Sequence, residues 1–77
     1  MLLDVTVLTP REILFKGQAR SIIAPGEQGV FEVLSYHKRI LSRLISGIMF
    51  IDDKSFHLRR GVIKVDLNRV TVVLEET

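Results

Sequence analysis

The chain has no cysteine and no tryptophan, only two prolines, and just four phenylalanines and one tyrosine among its 77 residues. Without cysteine there is no disulfide staple and no thiolate metal site, which fits a reducing compartment. No apolar run approaches the ~18–20 residues that a membrane helix needs. The opening MLLDVTVLTP carries Asp4 and no basic leader, so it does not read as a signal peptide. A dominant charge is missing too: eleven Lys and Arg face nine Asp and Glu, for a net charge of +2. That balance gives mild attraction to an acidic partner, whereas a strong nucleic-acid binder is usually more lopsided.

Catalytic apparatus is also lacking. His37 and His57 lie far apart in sequence with no ligand-spacing motif around them, so they read as surface or interface histidines. Asp52 and Asp53 fall on a turn and read as a solvated hairpin tip rather than an acid–base pair. Gly26, Gly29 and Gly61 do not make a phosphate loop, because no Gly-Lys-Ser or Gly-Lys-Thr follows them. No serine sits in a nucleophile elbow. The expectation is a non-catalytic protein with no cofactor and no metal.

What the chain does have is strand pattern. Its hydrophobic content of 47% favours a folded domain. A chain this short is expected to be one domain, 1–77, that buries only about 60–65% of its unfolded surface. In LLDVTVL, Leu3, Val5 and Val7 share one face and Asp4 and Thr6 the other. Thr9-Pro10 breaks that run. A second run, 13–24, puts Phe15, Gly17, Ala19, Ser21 and Ile23 on one face, and Gly17 within it suggests a bulge or bend. Pro25-Gly26-Glu27-Gln28-Gly29 is the clearest turn, and Val30 to Leu34 a short strand. Residues 36–45 are ambiguous, since Ile40, Leu41, Leu44 and Ile45 also fit helical spacing; a turn followed by a strand is the preferred reading. Strands follow at 47–51, 55–60, 62–66 and 70–75, with turns at 52–54 and 67–69. Turn signals at intervals of about ten residues predict an all-β fold, a small antiparallel β-sandwich or flattened barrel of about 8–10 short strands.

His37, Lys38, Arg39 and Arg43 form the best charge cluster. It reads either as a solvated loop or as a contact with an acidic protein surface or nucleic acid. The nucleic-acid alternative is a small β-barrel module using this cluster and sheet aromatics. The near balance of charge and the scarcity of aromatics weigh against it.

The order of these motifs resembles the N-terminal β-sandwich domain of the epsilon subunit of F-type ATP synthases, called delta in mitochondria. LDVTVLTPREILFKGQARSIIAPGEQGVFEVL resembles the family's opening: a strand, a Thr-Pro break, a hydrophobic-Phe-x-Gly strand and a Pro-Gly-x-x-Gly turn. His37 with Ile40-Leu41 sits where the family has Gly-His-Ala-Pro-Leu-Leu, and Gly47, Gly61 with VIKV, and NRVTVVLEE match later strands. There are departures. Ser35-Tyr36 stands for the family's Pro-Gly, Lys38-Arg39 for its Ala-Pro, and Val30 for a commonly acidic or polar residue. Family members continue into a C-terminal helical hairpin linked to inhibition of hydrolysis, so the resemblance is to a short form without it.

The resemblance implies a rotor part of the central stalk, which clamps the gamma subunit to the polar loops of the membrane c-ring and couples ion flow to ATP synthesis. It implies no nucleic-acid partner. The location implied is peripheral, on the cytoplasmic face of a bacterial inner membrane or an equivalent energy-transducing membrane. Glu27, Gln28, Gly29 and Val30 match the ring-facing loop. Thr9, His37 and Ser42 match positions near gamma. Lys38 and Arg39, absent from the family pattern, are expected to pair with partner carboxylates.

Overall fold

The computed structural model describes residues 2–75, and every regular element among them is a strand. In chain order these are β1 (Leu3–Leu8), β2 (Ile13–Ala19), β3 (Ser21–Gly26), β4 (Gly29–Leu34), β5 (Ile40–Leu44), β6 (Gly47–Ile51), β7 (Lys54–Leu58), β8 (Gly61–Asp66) and β9 (Arg69–Leu74). Val and Ile alternate with polar residues through β1, β8 and β9, the pattern a half-buried pleated strand requires. One continuous sheet runs β2-β1-β9-β8-β5-β3-β6-β7, with β4 added on β3. It folds over at the corner where Gly26 of β3 meets Leu44 of β5. The result is two layers, β2-β1-β9-β8-β5 and β7-β6-β3-β4. All these pairings are antiparallel except that of β1 with β9, which is parallel.

The core fills the space between the layers. Leu3, Val5, Val7, Ile63, Val65, Val70 and Val72 come from one layer, and Ile22, Ala24, Val33, Met49 and Ile51 from the other, all at 1% exposure or less. Among the described residues no polar or charged side chain is buried, so desolvation costs are confined to backbone groups already paired in ladders.

Each layer ends in open edges, and aromatic side chains close the two seams between them. On one side, the rings of Phe15 in β2 and Phe56 in β7 meet edge to face at 6.1 Å and 76°. Lys54 Nζ lies 5.3 Å from the Phe15 ring centre. On the other side, Phe31 of β4 and Ile40 of β5 pack half-buried against the core.

Two sequence expectations need correction, and the ambiguous stretch takes its preferred form. The run 13–24 is two strands, and the buried face switches from odd to even positions: Ala19 points in, and so do Ile22 and Ala24 beyond Arg20. The switch lies at a corner tied down by Asp52, whose carboxylate accepts from the amides of Arg20 and Ser21 at 2.9 and 3.1 Å. Asp52 is therefore a structural anchor as well as part of a hairpin tip. The irregularity in β2 falls at Leu14, which is skipped between the pairs Val7–Phe15 and Leu8–Ile13, while Gly17 pairs with Val5 in regular register. In the ambiguous stretch, residues 40–44 form a strand with Ile40, Ser42 and Leu44 turned inward and Leu41 out.

Candidate docking surface

The turn joining β3 to β4 is a two-residue loop. Pro25 pairs with Val30 and Gly26 with Gly29, leaving Glu27 and Gln28 at the tip. The glycines serve different purposes. Gly29 sits at φ +127°, in the half of backbone space that side chains resist. Gly26 is required for space, since a Cβ there would come within 2.8 Å of a Phe31 ring carbon. The Phe31 ring thus lies over the base of the loop that carries Glu27, Gln28, Gly29 and Val30. Val30 is 73% exposed.

Residues 26–31 and Ser42 line a cleft of about 400 Å³. Phe31 and Ser42 also line a second cleft of about 410 Å³, together with His37, Ile40 and Leu41. The ring-matching turn, Ser42 and His37 therefore lie along the seam between β4 and β5. Ser42 is half-buried, and its hydroxyl donates to the Arg43 carbonyl at 3.2 Å. His37 Nδ1 lies 2.8 Å from the Lys38 carbonyl oxygen, and the His37 amide donates to the Leu34 carbonyl at 3.1 Å. These local bonds set the shape of the loop between β4 and β5.

Lys38 and Arg39 sit at the far end of that loop. The Arg39 guanidinium already has a carboxylate within the chain: its Nε is 3.4 Å from Asp66 Oδ1, in an exposed pair worth about 0–1 kcal/mol. Any carboxylate of a partner competes with Asp66 for it.

Thr9 is separated from the other positions matched to gamma. Leu8 pairs with Val73, Val73 with Val62, and Val62 with Arg43, so Thr9 lies at the end of the ladder where Leu44 meets Gly26. Arg39 lies beyond Ile40, at the opposite end of β5, about 17 Å away along the strand. The Thr9 hydroxyl accepts from the amides of Arg11 and Glu12, both at 3.2 Å, and its own amide donates to the Glu12 carbonyl at 2.9 Å. It caps the β1–β2 loop on the same end as the Glu27–Gln28 tip.

Sequence reading missed Phe31, Leu41 and Tyr36. Leu41 is 75% exposed, which the alternation of β5 foretells once the stretch is read as a strand. Tyr36 has φ 65°, a left-handed conformation costing about 1–2 kcal/mol for a residue with a side chain. Among the described residues no group of three His, Cys, Asp or Glu is placed to hold a metal ion, and no helix is long and apolar enough to cross a membrane.

Comparison with known proteins gives a consistent picture. The family described as "ATP synthase, Delta/Epsilon chain, beta-sandwich domain" matches residues 2–77. The ATP synthase epsilon chain of Sulfurimonas denitrificans is 36% identical over 78 residues, covering 95% of this chain and 60% of the relative. The chain thus spans about three-fifths of that relative's length. The epsilon chain of Chlorobaculum tepidum is 35% identical over 75 residues, covering 91% of this chain and 85% of the relative. A chain in the structure of the central stalk and c-ring of the Tetrahymena thermophila mitochondrial ATP synthase superposes with a TM-score of 0.81 at 15% identity, over 96% of this chain and 63% of that one. At that identity the superposition establishes the fold.

Proposed function

The chain belongs to the ATP synthase delta/epsilon beta-sandwich family, and from that premise we propose that it is a rotor subunit of the central stalk, holding the gamma subunit to the polar loops of the membrane c-ring. One observation carries the reading. The turn Glu27–Val30, matched to the ring, and Ser42 and His37, matched to gamma, lie along one seam of the sandwich through two clefts that share Phe31 and Ser42. Thr9, capping the loop at the end that bears the Glu27–Gln28 tip, belongs with the ring-side group in this arrangement.

The task is mechanical. Torque passes through the subunit without slipping only if the docking groups keep their relative positions under load. Two packed layers with a dry core supply that stiffness. Affinity comes mainly from apolar surface, which the exposed Val30 and Leu41 offer along the seam. Exposed ion pairs from Lys38 and Arg39 add about 0–1 kcal/mol each and chiefly steer the encounter. Association with the membrane is peripheral, through the ring. The role needs no catalytic residue and no cofactor, in keeping with relatives that are epsilon chains rather than catalytic subunits.

The test is co-purification of the chain with the gamma subunit encoded in the same genome, at physiological salt. A stable one-to-one complex is expected. Absence of a complex, with retention of single-stranded nucleic acid that falls steeply as salt rises, would overturn the reading in favour of a small nucleic-acid-binding barrel.

A further inference from the structure

Two strongly exposed apolar side chains are held in backbone conformations that such residues avoid. Tyr36 is 76% exposed at φ 65°, and Leu67 is 91% exposed at φ 50°. Glycine at 36 and Asn-Gly at 67–68 would relieve the strain and remove the exposed apolar surface together. At this exposure neither side chain adds to the core, and strain retained at the surface is a pointer to a functional contact.

Tyr36 and Leu67 line one cleft of about 410 Å³. The frame between them is fixed. Asn68 Oδ1 accepts from the Tyr36 amide at 2.6 Å, and the Asn68 carbonyl accepts from the Asp4 amide at 2.8 Å. Both side chains are therefore presented from preorganised backbone, which lowers the ordering cost of binding. The surroundings are cationic. Lys38 and Arg39 line this cleft, and Lys64 and Arg69 line the neighbouring one on the other side of Leu67. The carboxylate shared by the two clefts, Asp66, is bridged by Arg39, and Asp4 on the next strand accepts from Gln18.

We propose that Tyr36 and Leu67 form an apolar clamp, rimmed by Lys38, Arg39, Lys64 and Arg69, which grips a segment of the shaft subunit bearing an apolar side chain flanked by carboxylates. This rests on the rotor reading and extends the docking surface from the His37 end of the β4–β5 seam to the turn between β8 and β9. A protein segment fits better than nucleic acid, because the rings lining the cleft are only Tyr36 and His37 and Leu67 offers no face for base stacking. An exposed tyrosine beside arginine is also the composition of an interface hot spot.

The experiment compares the natural chain with Tyr36→Gly, Tyr36→Asn and Leu67→Asn, each titrated with the purified gamma subunit and each unfolded in urea. The substitutions suit the left-handed positions, so the urea midpoints are expected to stay level or rise. Binding to gamma is expected to weaken at least tenfold in each case. Variants that fold as well as the natural chain and bind gamma within twofold of it would overturn the clamp while leaving the rotor reading intact. Failure of the natural chain to bind gamma would overturn both. Single-stranded DNA binding that disappears in the Tyr36 variants would overturn the choice of partner.

Discussion

Asp52 and Ser21 hold each other reciprocally. The Asp52 carboxylate accepts from the Ser21 amide at 3.1 Å, and the Asp52 amide donates to the Ser21 carbonyl at 3.1 Å. A β6–β7 turn is thereby fastened to the corner between β2 and β3, where the chain leaves one layer for the other. The same carboxylate takes the Arg20 amide at 2.9 Å. Asp52→Ala removes both side-chain bonds and puts alanine at φ 53°. It should cost about 1–3 kcal/mol, read as a lower urea midpoint at unchanged slope. Asp52→Asn keeps an acceptor and tolerates the conformation, so its loss should be clearly smaller.

Gly61 and Gly29 resist alanine for different reasons. A Cβ on Gly61 would meet the Val73 carbonyl oxygen at 2.7 Å and a Leu74 methyl at 2.9 Å, whereas at Gly29 it would meet nothing within 4 Å. Gly61→Ala therefore has to push β9 away and should destabilise by about 1–3 kcal/mol. Gly29→Ala suffers backbone strain alone, about 1–3 kcal/mol at φ +127°. A Gly61→Ala urea midpoint equal to that of the natural chain would contradict the packing at Gly61.

The Phe15–Phe56 contact closes a seam between strands that share no ladder, so its energy should appear as side-chain coupling. A double-mutant cycle with Phe15→Leu and Phe56→Leu should give about 0.5–1.5 kcal/mol of interaction energy. Coupling near zero would mean that the edges of β2 and β7 are held by the core alone.

Charge reversal at Lys38 and Arg39 tests steering of the docking partner. Under the rotor reading, Lys38→Glu with Arg39→Glu should weaken gamma binding severalfold at low salt, and the deficit should shrink as salt screens it. Stability should change by no more than about 1 kcal/mol, because the pair lost with Asp66 is exposed. Stalk assembly indifferent to the double change at every salt would remove electrostatics from the docking.

Alternation made β1, β8 and β9 legible from sequence, since Val and Ile at every second position leave one face to bury. The same rule failed across Arg20, where a corner held by a distant aspartate resets which parity points inward. It also misled at Gly17, because a bulge needs an unpaired residue rather than a glycine, and Leu14 is the one skipped. For the docking surface, the Pro-Gly-x-x-Gly spacing located the Glu27–Gln28 tip correctly. Thr9 and His37 stand on loops at different ends of the ladder, because strand order, not sequence motif, decides which loops share an end. The left-handed Tyr36 was hidden for a related reason: its conformation is imposed by Asn68, more than thirty residues away.

Parallel pairing of β1 with β9 sets a timetable for the chain. Leu3–Leu8 is made before every other described strand, yet one of its two ladders is with Arg69–Leu74, the last of the described strands. Until that strand is made, β1 and β8 each keep an unpaired edge, although hairpins such as β3–β4 and β6–β7 and the β5–β8 ladder need no part of β9. Such non-local closure is slow and leaves apolar strands open to wrong partners. Closure of the sheet therefore comes late, and the yield of folded chain depends on how well those early strands are shielded during synthesis.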